Sequence, residues 1–140
     1  MKSTKQLGDL IIGIDKQIKT NIERDLKRYG IGIGLLQILL IFFSNKNHSF
    51  SQTDLVKLLK IDKGNISRSI AKLIDRGYLE QDPVNLKMVK LSNEGLLLED
   101  EILSKFTKLN NAMLVGIEES DLNITTNILN KVLKNLEDIK

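Results

Sequence analysis

Apolar residues return every third or fourth position at Leu7, Leu10, Ile11, Ile14, Ile18 and Ile22, a spacing that predicts an amphipathic helix running to about Lys27. The glycines of YGIGIG interrupt it, and an apolar helix from about Gly32 to Phe43 follows. The run from Ile31 to Phe43 is the most apolar in the chain. It contains Gln37 and falls short of the roughly 20 residues a bilayer span needs, so it predicts a helix buried on most sides and no membrane crossing. The polar loop SNKNHS ends it. In SQTDLVKLLK, Ser51 stands three residues before Asp54, the spacing of a capping box, ahead of Leu55, Leu58 and Leu59, and a short helix is expected there.

Only Lys60 and Ile61 separate that helix from the stretch DKGNISRSIAKLIDRGYLE, which begins at Asp62. Two short helices joined so tightly cannot lie antiparallel and must cross, which is the helix-turn-helix arrangement. Asp62 suits the N-cap of the second helix, because a carboxylate there accepts from first-turn amides and faces the positive helix end. At 3.6 residues per turn, Ile66, Ile70, Leu73 and Ile74 share one face, while Asn65, Arg68 and Lys72 fall within an arc of about 60° opposite, flanked by Ser69 and Arg76. Gly77 ends the helix. Beyond it, Leu79, the turn signal DPVN, and then Val89 and Leu91 alternating with Met88, Lys90 and Ser92 predict a β-hairpin.

The rest of the chain is helical in pattern. Leu97, Leu98, Ile102, Phe106, Leu109 and Met113 form one stripe, and Ile128, Leu129, Val132, Leu133, Leu136 and Ile139 another. These stripes could pack together within one chain or bind a second copy. Composition narrows the chemistry. A chain of 140 residues with no cysteine has no disulfide framework, thiolate metal site or thiol switch, and suits a reducing cytoplasm. With His48 as the single histidine and its carboxylates in ordinary helical charge patterns, it offers no acid/base pair or metal cluster, and no enzyme activity, cofactor or metal is expected. The N-terminal twenty residues lack the compact apolar core of a signal peptide. Net charge is +3 and the pI about 9.1, a mild bias towards a polyanionic partner.

Any solvated helix carries Lys, Arg, Ser and Asn on its polar face. The short helix and two-residue turn ahead of this one give the face a purpose: Arg and Asn make bidentate contacts to guanine and adenine edges in the major groove, Ser meets bases or phosphate, and Lys meets phosphate. Gly64 adds a point where backbone can approach a duplex closely.

From Ser51 to Gly95, SQTDLVKLLKIDKGNISRSIAKLIDRGYLEQ and VKLSNEG resemble the helix-turn-helix and the end of the wing in the MarR-type winged-helix transcriptional regulators. The resemblance extends over nearly the whole chain in length and order of elements. It implies a mostly α fold with a small β-hairpin wing: an N-terminal dimerisation helix in residues 1–30, a DNA-binding lobe in 31–95, and C-terminal dimerisation helices in 96–140. It further implies a homodimeric repressor on a pseudo-palindromic operator of double-stranded DNA. The helix Lys63 to Arg76 would enter the major groove and the wing would point towards the minor groove. A pocket between the dimerisation and DNA-binding parts would take a small aromatic or acidic effector, with Tyr29, Phe42, Phe43 and His48 near that seam. On this pattern Arg68 and Asn65 contact bases, Lys63, Gly64, Ser67, Ser69 and Lys72 place the helix on phosphates or bases, and Ser51, Gln52 and Thr53 hold the backbone.

Two departures stand out. The family's wing usually carries an Asp, one residue, then an Arg for the minor groove; counted back from VKLS, those places hold Pro83 and Asn85, leaving Asn85, Lys87 and Lys90 for the duplex. Lys60 replaces a glycine common in the turn, which a negative φ would tolerate. The missing arginine and small net charge also fit another reading, a winged-helix adaptor whose Asn65, Arg68 and Lys72 face a protein.

Overall fold

In the computed structural model, which describes residues 6–140, each predicted helix forms, and so does one strand the hydrophobic pattern did not announce. The first five residues of the stretch read for a signal peptide lie outside that range. Helix α1 (Leu7–Leu26) continues into a 3-10 turn (Lys27–Tyr29), which stops at Gly30 in the left-handed region, where a missing Cβ removes the steric penalty. Then come α2 (Ile33–Ser44), β1 (Phe50–Ser51), α3 (Gln52–Leu59), α4 (Lys63–Asp75), β2 (Leu79–Gln81), β3 (Met88–Leu91), α5 (Asn93–Met113) and α6 (Glu119–Glu137).

The predicted hairpin is β2–β3, but β1 joins it, making an antiparallel sheet in the order β1-β3-β2 with Phe50 opposite Val89 and Leu79 opposite Leu91. This third strand packs Phe50 edge-on against Phe42 of α2, ring centroids 5.2 Å apart.

The chain divides into two units, one ending at Phe106 and the other spanning Thr107–Lys140. The first holds the core. Helix α2 supplies Leu36, Ile38, Leu39, Phe42 and Phe43, and Leu55, Ile66, Ile70, Leu73, Leu79, Val89, Leu98 and Ile102 complete it. Several residues expected in apolar stripes are not buried, among them Leu58 (57 % exposed), Ile74 (37 %) and Leu97 (69 %). Periodicity assigns a residue to a face, but a core covers only the part of that face with an element above it. Gly95 lets α5 approach the sheet, since a Cβ there would stand 2.3 Å from the carbonyl oxygen of Tyr78. Glu99, the one charged side chain buried among the described residues, meets Lys46 of the α2–β1 loop at 3.0 Å.

The second unit contains the end of α5, a turn with Gly116 at φ 79°, and α6, whose first turn carries Glu119 and Asp121 and whose last carries Lys134, matching the helix dipole. Ile128, Leu129, Leu133 and Leu136 are exposed along α6. Among the described residues, no single helix is long and apolar enough to cross a membrane; α1 and α2 together would be bent by 81° at their break.

Candidate nucleic-acid interface

Local capping sets the two crossing helices. The Ser51 hydroxyl accepts from the Asp54 backbone N–H (3.1 Å), and the Asp54 carboxylate accepts from the Ser51 N–H (2.9 Å), closing the capping box at the start of α3. The Ser51 donors hold the Asp54 carboxyl below its ordinary range. At the other end Lys60 departs from expectation: its φ is +56°, not negative. In this left-handed conformation it donates its N–H to Val56 O at 2.8 Å, satisfying an end carbonyl of α3 while turning the chain towards α4. Asp62 then caps α4, its Oδ1 accepting from the Asn65 N–H at 2.9 Å. That donor lowers its carboxyl pKa.

The crossing opens a groove of about 510 Å³ between the start of α3, one flank of α4 and the wing. Ser51, Gln52 and Thr53 line it from α3, Lys63 and Ser67 from α4, and Lys87 from the wing, so six of the predicted site residues converge. Its apolar lining comes from Ile70, Ala71, Ile74, Leu86 and Val89, which is where Ile74 goes in place of the core.

A second group forms the exposed crest of α4. Asn65, Arg68 and Lys72 are all exposed, as their shared arc required. Hydrogen bonds link the first two to the cap: Asn65 Nδ2 donates to Asp62 Oδ2 (2.8 Å), and Arg68 Nη2 donates to Asn65 Oδ1 (2.6 Å). Gly64 lies beneath the guanidinium. Ser69 is half-buried and belongs to neither group. Arg76 is engaged elsewhere, its Nε donating to the Gly30 carbonyl.

Asp82 organises the wing. Its Oδ1 accepts from the N–H groups of Val84 (2.8 Å) and Asn85 (3.4 Å), and its Oδ2 accepts from the Ser49 hydroxyl (2.5 Å), joining the wing to the residue before β1. The Ser49 bond is the main reason its carboxyl pKa is lowered. Asn85 spends its own Oδ1 on the Lys87 N–H (3.1 Å), so it shapes the turn that presents Lys87. Val84 and Leu86 stand exposed at the tip. Strand alternation separates the two lysines: Lys87 and Val89 line the groove, whereas Lys90 lines a pocket of about 260 Å³ with Phe42, Asn45, Asn47, His48 and Glu80.

Residues 31–85, which hold α2, the crossing helices and the first half of the wing, match the family model described as MarR family. Over that segment, about two fifths of its length, the chain is similar to the MarR family. A similar curated protein is the HTH-type transcriptional regulator BilQ of Clostridioides difficile (strain CD3), 31% identical over 77 residues, 55% of this chain and 51% of that protein. The alignment thus spans about half the length of this curated relative. Among solved structures, a MarR transcriptional regulator from Methanosarcina mazei Go1 is 25% identical with a TM-score of 0.74, over 100% of this chain and 95% of that one. The S. aureus MepR-DNA complex gives 0.73 at 17% identity, over 94% of this chain and 96% of that one, a likeness of fold.

In this MarR-like fold, the four residues near the expected seam, none of which the sequence assigns to a ligand, lie in different places. Phe42 and Phe43 are both core, His48 lines the 260 Å³ pocket, and Tyr29 lines a different, open cavity with Arg28, Asp100, Glu101, Ser104 and Lys105. Among the described residues no group of three or more His, Asp or Glu is arranged to hold a metal. Sequence reasoning missed Gln81 in the groove and Ser49 at the wing base. The DPVN turn signal pointed to Asp82's neighbourhood, but nothing local marks Ser49, which lies 33 residues from its partner.

Proposed function

We propose that this chain is a MarR-family regulator: cytoplasmic, homodimeric and sequence-specific in DNA binding, acting as a repressor on a pseudo-palindromic operator. The carrying observation is the convergence of the α3 N-terminus, the flank of α4 and the wing lysine Lys87 on one groove beside the exposed Arg68 crest. Arg68 on the crest carries the base contact. Lys63, Ser67, Lys72 and Lys87 hold phosphates, and the first-turn amides of α3 at Ser51 to Thr53 receive another. Lys87 takes the part of the wing cation. Exposed apolar residues along α1 (Leu10, Ile11, Ile14) and along α6 (Leu129, Leu133, Leu136) support the homodimer. Release by a small aromatic or acidic effector belongs to the same proposal, with the pocket lined by His48 and Lys90 as its seat, since it offers a cation to an acidic group.

The testing experiment is selection of bound duplexes from a random-sequence DNA pool at about 150 mM salt, where screening suppresses much non-specific attraction. The expected outcome is a two-fold-symmetric motif with half-sites about one helical turn apart. One observation favours a second reading. Val84 (94 % exposed) and Leu86 put apolar side chains at the wing tip, which fits a protein-binding adaptor. Binding without sequence enrichment would favour the adaptor and overturn the operator proposal.

A further inference from the structure

We infer that Asn65 is a positioning residue, which holds the Arg68 guanidinium in the orientation that reads a base and reads none itself. This rests on the DNA-binding reading above and deepens it.

A side-chain amide reads adenine by presenting its oxygen and its nitrogen together to one base edge. One of the two Nδ2 donors and one of the two Oδ1 lone pairs of Asn65 are engaged within the helix, which fixes the plane of the amide along α4. Its Nδ2 donates to Asp62 Oδ2 at 2.8 Å, and its Oδ1 accepts from Arg68 Nη2 at 2.6 Å. The three residues stand three apart, so they stack along one face of α4 as a chain of carboxylate, amide and guanidinium. Asp62 is fixed in turn, because its other oxygen caps the helix through the Asn65 N–H. Arg68 gives one N–H of Nη2 to this chain, and a guanidinium carries five N–H donors, so others remain to meet a partner.

Two further features fit this role. A Cβ at position 64 would stand 3.2 Å from Arg68 Nη1 and 3.3 Å from Asp62 Oδ1, so glycine there leaves the room the guanidinium occupies. A carboxylate at the mouth of a polyanion-binding face also needs a reason, since phosphate repels it. Here Asp62 spends its charge on the helix N-terminus and on the chain that ends in Arg68. Ordering a long side chain before binding removes part of the entropic cost of ordering it on contact.

The test measures binding of the native chain, Asn65→Ala, Arg68→Ala and the double variant to the selected operator and to duplexes carrying each single base substitution. Both single variants are expected to relax preference at the same base pair, Asn65→Ala by roughly 3–10-fold and Arg68→Ala by roughly 10-fold or more. The double variant should bind no worse than Arg68→Ala. Relaxation at two different base pairs, with losses that multiply, would make Asn65 a base reader and overturn the inference. Gly64→Ala provides a check that does not weaken the helix, since alanine raises helix propensity. It should keep or raise thermal stability while weakening preference at the Arg68 base pair, and an unchanged preference would also overturn the inference. If the native chain selects no motif, the DNA-binding reading fails and this inference falls with it; a native motif with independent base pairs sinks the inference alone.

Discussion

Lys60 is one of two non-glycine residues, among those described, with a left-handed backbone, the other being Asn47. A lysine pays a steric penalty there because its Cβ crowds the backbone, and glycine does not. Lys60→Gly should therefore stabilise the fold by about 0.5–1 kcal/mol, the relief exceeding the extra entropy of an unfolded glycine. Urea denaturation measures this, and a fall in the midpoint would mean that the lysine stem packs usefully on the turn. The same position shows how a residue escapes sequence reading. Lysine signals neither a turn nor a left-handed cap, so the sequence leaves the sign of φ at this position open. Asn85 likewise has a local role that its polarity does not announce, its Oδ1 accepting from the Lys87 N–H.

At the scale of elements, three hydrogen-bonded carboxylates start or shape the parts of the interface: Asp54 at α3, Asp62 at α4 and Asp82 in the wing. Each has its pKa lowered, chiefly by a donor from Ser51, Asn65 and Ser49 respectively. Because the folded pKa lies below the unfolded one, the native state binds fewer protons in that range. The stability these contacts contribute is complete above the unfolded value of about 4 and fades as pH falls through the folded values. Denaturation midpoints measured from pH 6 to pH 2 should hold level at first and drop below about pH 4. A triple variant with Asn at all three positions should show a shallower drop, and an equally steep one would assign acid sensitivity to other carboxylates. Ser51→Ala removes the partner oxygen of the α3 box and should cost about 1 kcal/mol at neutral pH. These caps were legible because they act over three residues. Strand β1 was not, since two residues carry no period and its pairing with β3 joins positions far apart in the chain.

For the whole molecule, the unsatisfied feature is apolar surface. Leu10 of α1 is exposed, and so are Leu133 and Leu136 of α6, each by more than half. Contiguous apolar stripes of this kind mark interaction surfaces. The double change Leu133→Glu and Leu136→Glu should weaken self-association on the order of 100-fold, as loss of central interface anchors does. Sedimentation at micromolar concentration measures it, and binding to a full palindrome should suffer more than binding to one half-site. A native chain that sediments as a monomer would overturn the homodimer proposal. The order of helices, the crossing pair and the hairpin were legible in the sequence because each follows from spacing within one helix or across one tight turn, whereas the winged-helix fold class was legible only through the family resemblance.

Periodicity and capping are short-range effects, and the sequence by itself therefore determined where helices begin and which residues share a face. It could not determine how much of each face is covered. Ile74 and Leu97 lie in apolar stripes yet remain exposed, because burial depends on what element arrives from elsewhere in the chain. Tertiary structure also decided the left-handed turn at Lys60, the third strand, the Ser49–Asp82 bond and the burial of Glu99 against Lys46. Each of these depends on chain crossing or on partners distant in sequence, where local propensity carries no information about geometry.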